Sequence, residues 1–193
     1  MKLLDTPVRS FVALPCPPGL REAIAAARPA WRLASDGVRW TRPEQLHLTL
    51  RFLGQADPLR LSALVEGLAA ATAAAAPIRL RPGEPGAFPD WRRPRVLWLG
   101  LDGGAALGAL AAAVEAAARA AAFAEEARPF HPHLTLGRVG DRASARPGVA
   151  AVRQWRPDTG IEEVSEIVLY RSDLEPGGAR HSALARFPLG GVA

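Results

Sequence analysis

This 193-residue chain predicts an α+β fold, with helices packed on the outer faces of mainly antiparallel sheets, on three observations. Strand-rich segments are mixed with three or four helical ones, the pattern of layered α+β packing. Two of the strand-like runs carry the same four residues, His47-Leu48-Thr49-Leu50 and His133-Leu134-Thr135-Leu136, 86 residues apart. Each belongs to a unit that also contributes a long amphipathic helix, the mark of an internal duplication within a single domain, residues 1–193.

Alternation over Val8 to Leu14 predicts the first strand, and Pro17-Pro18-Gly19 introduces a helix through Leu20, Ile24 and Ala27 that stops before Pro29. Strands follow at Val38 to Thr41 and at Leu46 to Leu53, the second carrying the first motif. After a turn at Gly54 to Pro58, apolar residues at Leu61, Leu64, Val65 and Leu68 predict a helix over Leu59 to Ala76. Arg81 to Asp90, rich in Pro and Gly, is expected to loop between a strand at Ile78 and one at Val96 to Leu101. A helix over Ala105 to Phe123 precedes the second motif strand, Phe130 to Val139. A short helix around Val149 to Trp155 and two strands, Val164 to Arg171 and Ala179 to Phe187, complete the chain, the strands joined by Glu175-Pro176-Gly177-Gly178.

On a strand, residues i and i+2 share a face about 7 Å apart, so each motif offers an imidazole and a hydroxyl together while its leucines face a core. The chain has only six threonines, so two of four histidines gaining one at i+2 is a specific signal. The bland reading, two decorated solvent faces, explains one copy better than it explains both. Two histidines can divide acid and base duties without metal or cofactor, and His47, Thr49, His133 and Thr135 are the catalytic candidates. Arg51 shares their strand parity and is a candidate phosphate ligand. Arg138 falls on the opposite face of its strand unless a bulge intervenes near Gly137. Phe52 and Phe130 are candidates for stacking on a base, as is Trp91 in its arginine-flanked loop, against a core role for both phenylalanines. His131-Pro132-His133 has metal-ligand spacing, but the strand faces supply threonines where a third His or a carboxylate would be needed, so no metal is expected.

At these residues the chain resembles the two-histidine phosphoesterases, and within them the LigT-like RNA 2′,3′-cyclic phosphodiesterases, also described as 2′-5′ RNA ligases. The resemblance runs in order through Arg9 to Pro15, Val38 to Trp40, Leu46 to Gly54, Phe88-Pro89, Arg95 to Gly100, Phe130 to Arg138 and Ile167 to Ser172. It departs at Ala179-Arg180-His181, where a tyrosine is expected. The resemblance implies two lobes about a pseudo-two-fold, both motifs facing a central cleft, and Arg138 as a phosphate ligand. It implies His47 as proton donor and His133 as base in hydrolysis of an RNA 2′,3′-cyclic phosphate end, such as that of a tRNA fragment, to a 2′-phosphate, with reversible 2′-5′ joining. Rival readings are a non-catalytic module that holds a nucleotide or RNA end, and a phosphodiesterase for a small cyclic nucleotide.

The formal charge of +5 suits a polyanionic partner, although nearly all of it is arginine, Lys2 being the sole lysine, in a chain swollen with Ala, Gly and Pro. Cys16 alone excludes an internal disulfide. No signal peptide or membrane span is read from the apolar runs, so a cytoplasmic monomer with no obligate protein partner is expected.

Overall fold

A computed structural model describes residues 6–175 and 178–190. The first strand, β1 (Val8–Pro15), leads into helix α1 (Pro18–Ala34), whose first N–H groups, those of Gly19 and Leu20, each donate to the Glu162 carboxylate at 2.7 Å. The helix does not stop before Pro29, as the sequence predicts, but runs through it. A proline inside a helix costs about 3 kcal/mol. Beyond it lies Trp31, buried on the same stripe as Leu20 and Ile24 and packed against Trp40 and Trp155 at ring separations of 5.4 and 4.9 Å. Burial of one large apolar side chain returns about 1.5–3 kcal/mol, enough to carry the helix across.

Strand β2 (Val38–Trp40) and a 3₁₀ turn at Pro43–Gln45 precede β3 (His47–Ala56), and Asp57 caps helix α2 (Pro58–Ala73) by accepting from the Leu59 N–H at 2.8 Å. The segment expected to loop is instead most of β4 (Ile78–Phe88). Its prolines are tolerated because the registered pairs are one-sided, Ile78 to Leu80 with β7 and Arg81 to Phe88 with β5, and the β5 register slips between Pro82 and Pro85, so few ladder donors are missed. Gly86 is required where the Trp98 ring crosses the strand: a Cβ there would lie 2.0 Å from it. Then come β5 (Val96–Asp102), α3 (Gly104–Ala120), β6 (His133–Val139), α4 (Arg142–Gln154), β7 (Glu162–Val164), β8 (Glu166–Glu175) and β9 (Gly178–Pro188). Helix α4 starts earlier than expected because Asp141 accepts from the N–H groups of Ala143 and Ser144. Of the predicted final turn, Pro176 and Gly177 lie outside the described residues.

Every strand pair is antiparallel, and the α+β class stands. The expected two sheets are joined: one hydrogen-bonded path runs β7-β4-β5-β6-β3-β1-β8-β9, with β2 beside β6. The seam between its halves, β3 against β6, has the single registered pair Leu48 and Leu134. Helices α2 and α3 pack together, as do α1 and α4, over the leucine face, where Leu48, Leu50, Leu134 and Leu136 join the core. No helix among the described residues is long and apolar enough to cross a membrane.

Candidate active site

The seam decides the site. Residues opposite one another in an antiparallel pair share a face, so pairing Leu48 with Leu134 turns both inward and sends His47, Thr49, His133 and Thr135 to the other side. Because the strands cross at the centre of the two motifs, His47 lies towards Thr135 and His133 towards Thr49, a local two-fold relation. All four are part-buried, flanked by buried leucines. Neither threonine hydroxyl is hydrogen-bonded within the chain among the described residues, which leaves both as donors to a ligand.

The imidazoles are held alike. His47 Nδ1 lies 2.7 Å from the Gln45 carbonyl oxygen and His133 Nδ1 lies 2.6 Å from that of His131. A carbonyl only accepts, so each Nδ1 carries the proton and donates, and each Nε2 is left for chemistry. Burial pushes His47 down to about 4, against the Gln45 carbonyl, which raises it, and with help from His181 and His133. Burial also lowers His133, with His131 and Arg138 adding to the fall. Both rings are therefore neutral at pH 7 until an anion arrives.

Aromatic walls fix the rings. His47 lies 4.6 Å from Phe11 and edge-on to His181 at 5.2 Å, with Tyr170 stacked on Phe11 at 5.2 Å. His133 stands edge-on to Phe88 at 5.1 Å, with Trp98 and His131 at 6.0 and 5.9 Å. The sequence reading missed His181, Tyr170, Phe11, Phe88 and Trp98 as site residues. Strand parity was the signal for Trp98, which alternates with the buried Leu97 and Leu99. His181 stands in the segment where the resemblance breaks, and it packs on the motif histidine. The Gln45 side chain, whose own carbonyl holds His47, donates to the Ala179 carbonyl at 2.6 Å and ties that segment to the site.

The two arginine candidates exchange places. In β3 the register against β1 slips across Leu50, between Thr49 and Arg51, and in β6 the register against β5 slips across Leu136, between Thr135 and Gly137. Each slip reverses parity beyond it. Arg51 therefore turns to the helix face, buried at 8% exposure, where it pairs with Glu115 of α3 at 2.5 Å and donates to the carbonyls of Phe52 and Ala124. It is not placed to bind a ligand beside the histidines, contrary to its simple parity. Arg138 turns to the histidine face and is exposed, close enough for its charge to lower His133. Phe52, at the position equivalent to Arg138, is 45% exposed and 5.9 Å from Phe11. Phe130 precedes β6 and is 38% exposed, a rim position. Among the described residues no three His, Cys, Asp or Glu side chains are grouped to share one ion.

Two imidazoles with open Nε2 atoms and two hydroxyls on an antiparallel seam form an arrangement able to move protons to and from a phosphodiester. The 2′-5′ RNA ligase superfamily matches residues 16–176, and the chain belongs to it. A relative from Archaeoglobus fulgidus named RNA 2′,3′-cyclic phosphodiesterase is 33% identical over 93% of this chain and 99% of its own length. An Escherichia coli K12 protein of that name is 32% identical over 96% and 99%. The chain spans 57% of a Geobacillus stearothermophilus relative of the same name, at 32% identity over 94% of this chain. The crystal structure of E. coli LigT in apo form superposes with a TM-score of 0.76 at 28% identity, covering 96% of this chain and 99% of that one.

Proposed function

We propose that the enzyme hydrolyses RNA 2′,3′-cyclic phosphate ends to 2′-phosphates by metal-independent acid–base catalysis. The observation that carries this reading is the matched pair of imidazoles, each with Nδ1 tied to a backbone carbonyl two residues earlier and Nε2 left open. The names of the relatives, RNA 2′,3′-cyclic phosphodiesterase, supply the substrate class. Duplication within one domain is supported by the register slips at Leu50 and Leu136, which stand in equivalent places after the two motifs.

The cyclic phosphate lies across the seam, its non-bridging oxygens accepting from Thr49 and Thr135 and from the planar fork of Arg138. The Nε2 lone pair of His133 takes a proton from water, whose oxygen attacks phosphorus opposite the 3′-oxygen. The P–O3′ bond breaks, and His47, protonated at Nε2, gives its proton to the departing oxygen, leaving a 2′-phosphate and a 3′-hydroxyl. The assignment of acid to His47 and base to His133 follows the family resemblance. Burial disfavours the cationic form of His47, so the phosphate itself must supply the countercharge that loads its proton. With an RNA hydroxyl in place of water the same steps form a 2′-5′ linkage, and they run in reverse.

The test is hydrolysis of a short RNA ending in a 2′,3′-cyclic phosphate, with excess EDTA and no ATP, resolving 2′- from 3′-phosphate products. The expected result is a 2′-phosphate at undiminished rate, and loss of at least about 10²-fold in kcat for His47→Ala and for His133→Ala in folded protein. Binding without turnover would replace catalysis by an end-binding role. Activity dependent on added metal would transfer His131 and His133 to a ligand role.

A further inference from the structure

A second basic surface lies beyond the end of β6, and none of the chemistry above uses it. The 89–95 loop, with Trp91, Arg92 and Pro94, faces Arg146, Val149 and Arg153 of α4 across a cavity of about 990 Å³. Val139, the last residue of β6, contributes to its floor. The volume is at the top of the range for small-molecule clefts, more than a terminal cyclic nucleotide would fill.

The charges are unbalanced. Among the described residues no carboxylate pairs with Arg92, Arg146 or Arg153. Asp141, the acidic side chain of the lining, is committed to the Ala143 and Ser144 N–H groups and the Ser144 hydroxyl. Arg156, also in the lining, is engaged by Glu84 at 2.5 Å and differs from the other three in this. The Arg153 guanidinium lies 5.8 Å from the centre of the part-exposed Trp91 ring, so cation and aromatic face are presented together. Guanidinium forks bind phosphate oxygens two at a time, and an indole stacks on any base. That combination is the recognition chemistry of a single-stranded nucleic acid, which alternates phosphates with flat rings.

The groove adjoins the C-terminal end of the catalytic strand. Val139 follows Arg138, the arginine on the histidine face, and stands six residues after His133, about 20 Å along a strand. We propose that this groove holds the single-stranded RNA a few nucleotides upstream of the cyclic phosphate, with Arg92, Arg146 and Arg153 on its phosphates and Trp91 against a base. The enzyme then measures RNA length as well as RNA end. This deepens the reading of the seam as a cyclic phosphate site and rests on it.

The experiment compares kcat/KM for a ten-nucleotide RNA ending in a 2′,3′-cyclic phosphate with that for a 2′,3′-cyclic mononucleotide, in the parent enzyme and in Arg146→Ala/Arg153→Ala and Trp91→Leu. The ten-mer to mononucleotide ratio is expected to fall about tenfold in each variant. The slope of log kcat/KM against log salt for the ten-mer should flatten by about 0.7 per phosphate contact removed. Thermal melting checks that the variants fold. Anisotropy of a labelled ten-mer with a plain 3′-hydroxyl reads groove binding without turnover, and its Kd should rise about tenfold in the variants. A ratio and Kd equal to those of the parent would overturn the proposal. If the parent turns over neither substrate but its ten-mer affinity still drops in the variants, the groove stands and the catalytic reading falls instead.

Discussion

His47 and His133 announce themselves because a two-residue spacing on a strand needs no tertiary knowledge to place both side chains on one face. What could not be read locally was the basicity of these rings, which depends on burial and on His181 and His131 arriving from elsewhere in the chain or bending back beside them. Both pKa values lie below the ordinary histidine value near 6.5 in the free enzyme. A reaction that needs one imidazolium and one imidazole has a bell-shaped kcat/KM centred midway between the two free-enzyme values, whichever ring has which role. The maximum of kcat/KM for a cyclic phosphate substrate is therefore expected below pH 6.5. The kcat profile should lie at higher pH, because the bound phosphate stabilises both imidazolium forms. Rate profiles from pH 4 to 9 check this, and a kcat/KM maximum above 7 would show that the rings are not desolvated as the geometry requires.

At the scale of the strand, single-residue register slips separate what was legible from what was not. Parity counted along the sequence puts Arg51 with His47 and Thr49 and puts Arg138 behind His133. The slips across Leu50 and Leu136 reverse both, and nothing in either leucine advertises a bulge, which arises from pairing with β1 and β5. The proline-rich β4 was misread for a related reason, since turn propensity is local and the edge that tolerates proline is made by neighbours. The two arginines should accordingly fail differently. Arg138→Ala is expected to lose about 10–100-fold in kcat/KM, the weight of a hydrogen bond to a charged group, with unchanged melting. Arg51→Ala removes the partner of Glu115 and two carbonyl donors from a buried pocket joining β3 to α3. A fully buried pair broken this way costs about 3–5 kcal/mol, and with Glu115 about a quarter exposed a loss of about 2–3 kcal/mol is expected, with kcat/KM largely kept in the folded fraction. Urea unfolding and steady-state kinetics on both variants measure the contrast. The reverse outcome would return Arg51 to the cleft.

Over the whole molecule the fold class was legible from periodicity, whereas the number of sheets was not, because one registered pair at Leu48 and Leu134 joins the halves and a single pair leaves no trace in composition. That narrow seam gathers histidines from both halves: His47, His133 and also His181 have pKa values lowered by burial. Folding stability must follow. At pH above about 6.5 these rings are neutral in folded and unfolded chains alike and cost nothing. As pH falls below that value the unfolded chain takes up protons that the folded one refuses, so the unfolded state binds more protons and stability drops. For His47 the loss continues until about pH 4, where the folded ring also titrates. Each pH unit in that window is worth about 1.4 kcal/mol per refused proton, so at pH 5 the part-exposed His47 should account for roughly 1–2 kcal/mol. Denaturant unfolding at pH 7.5 and pH 5 should show this as a gap that narrows in His47→Gln, whose side chain does not titrate. The carboxylate contributions are common to both proteins and cancel in the difference. Equal pH dependence in parent and variant would mean that the folded His47 takes up its proton as readily as a free imidazole, and the phosphate would no longer be needed to load the acid.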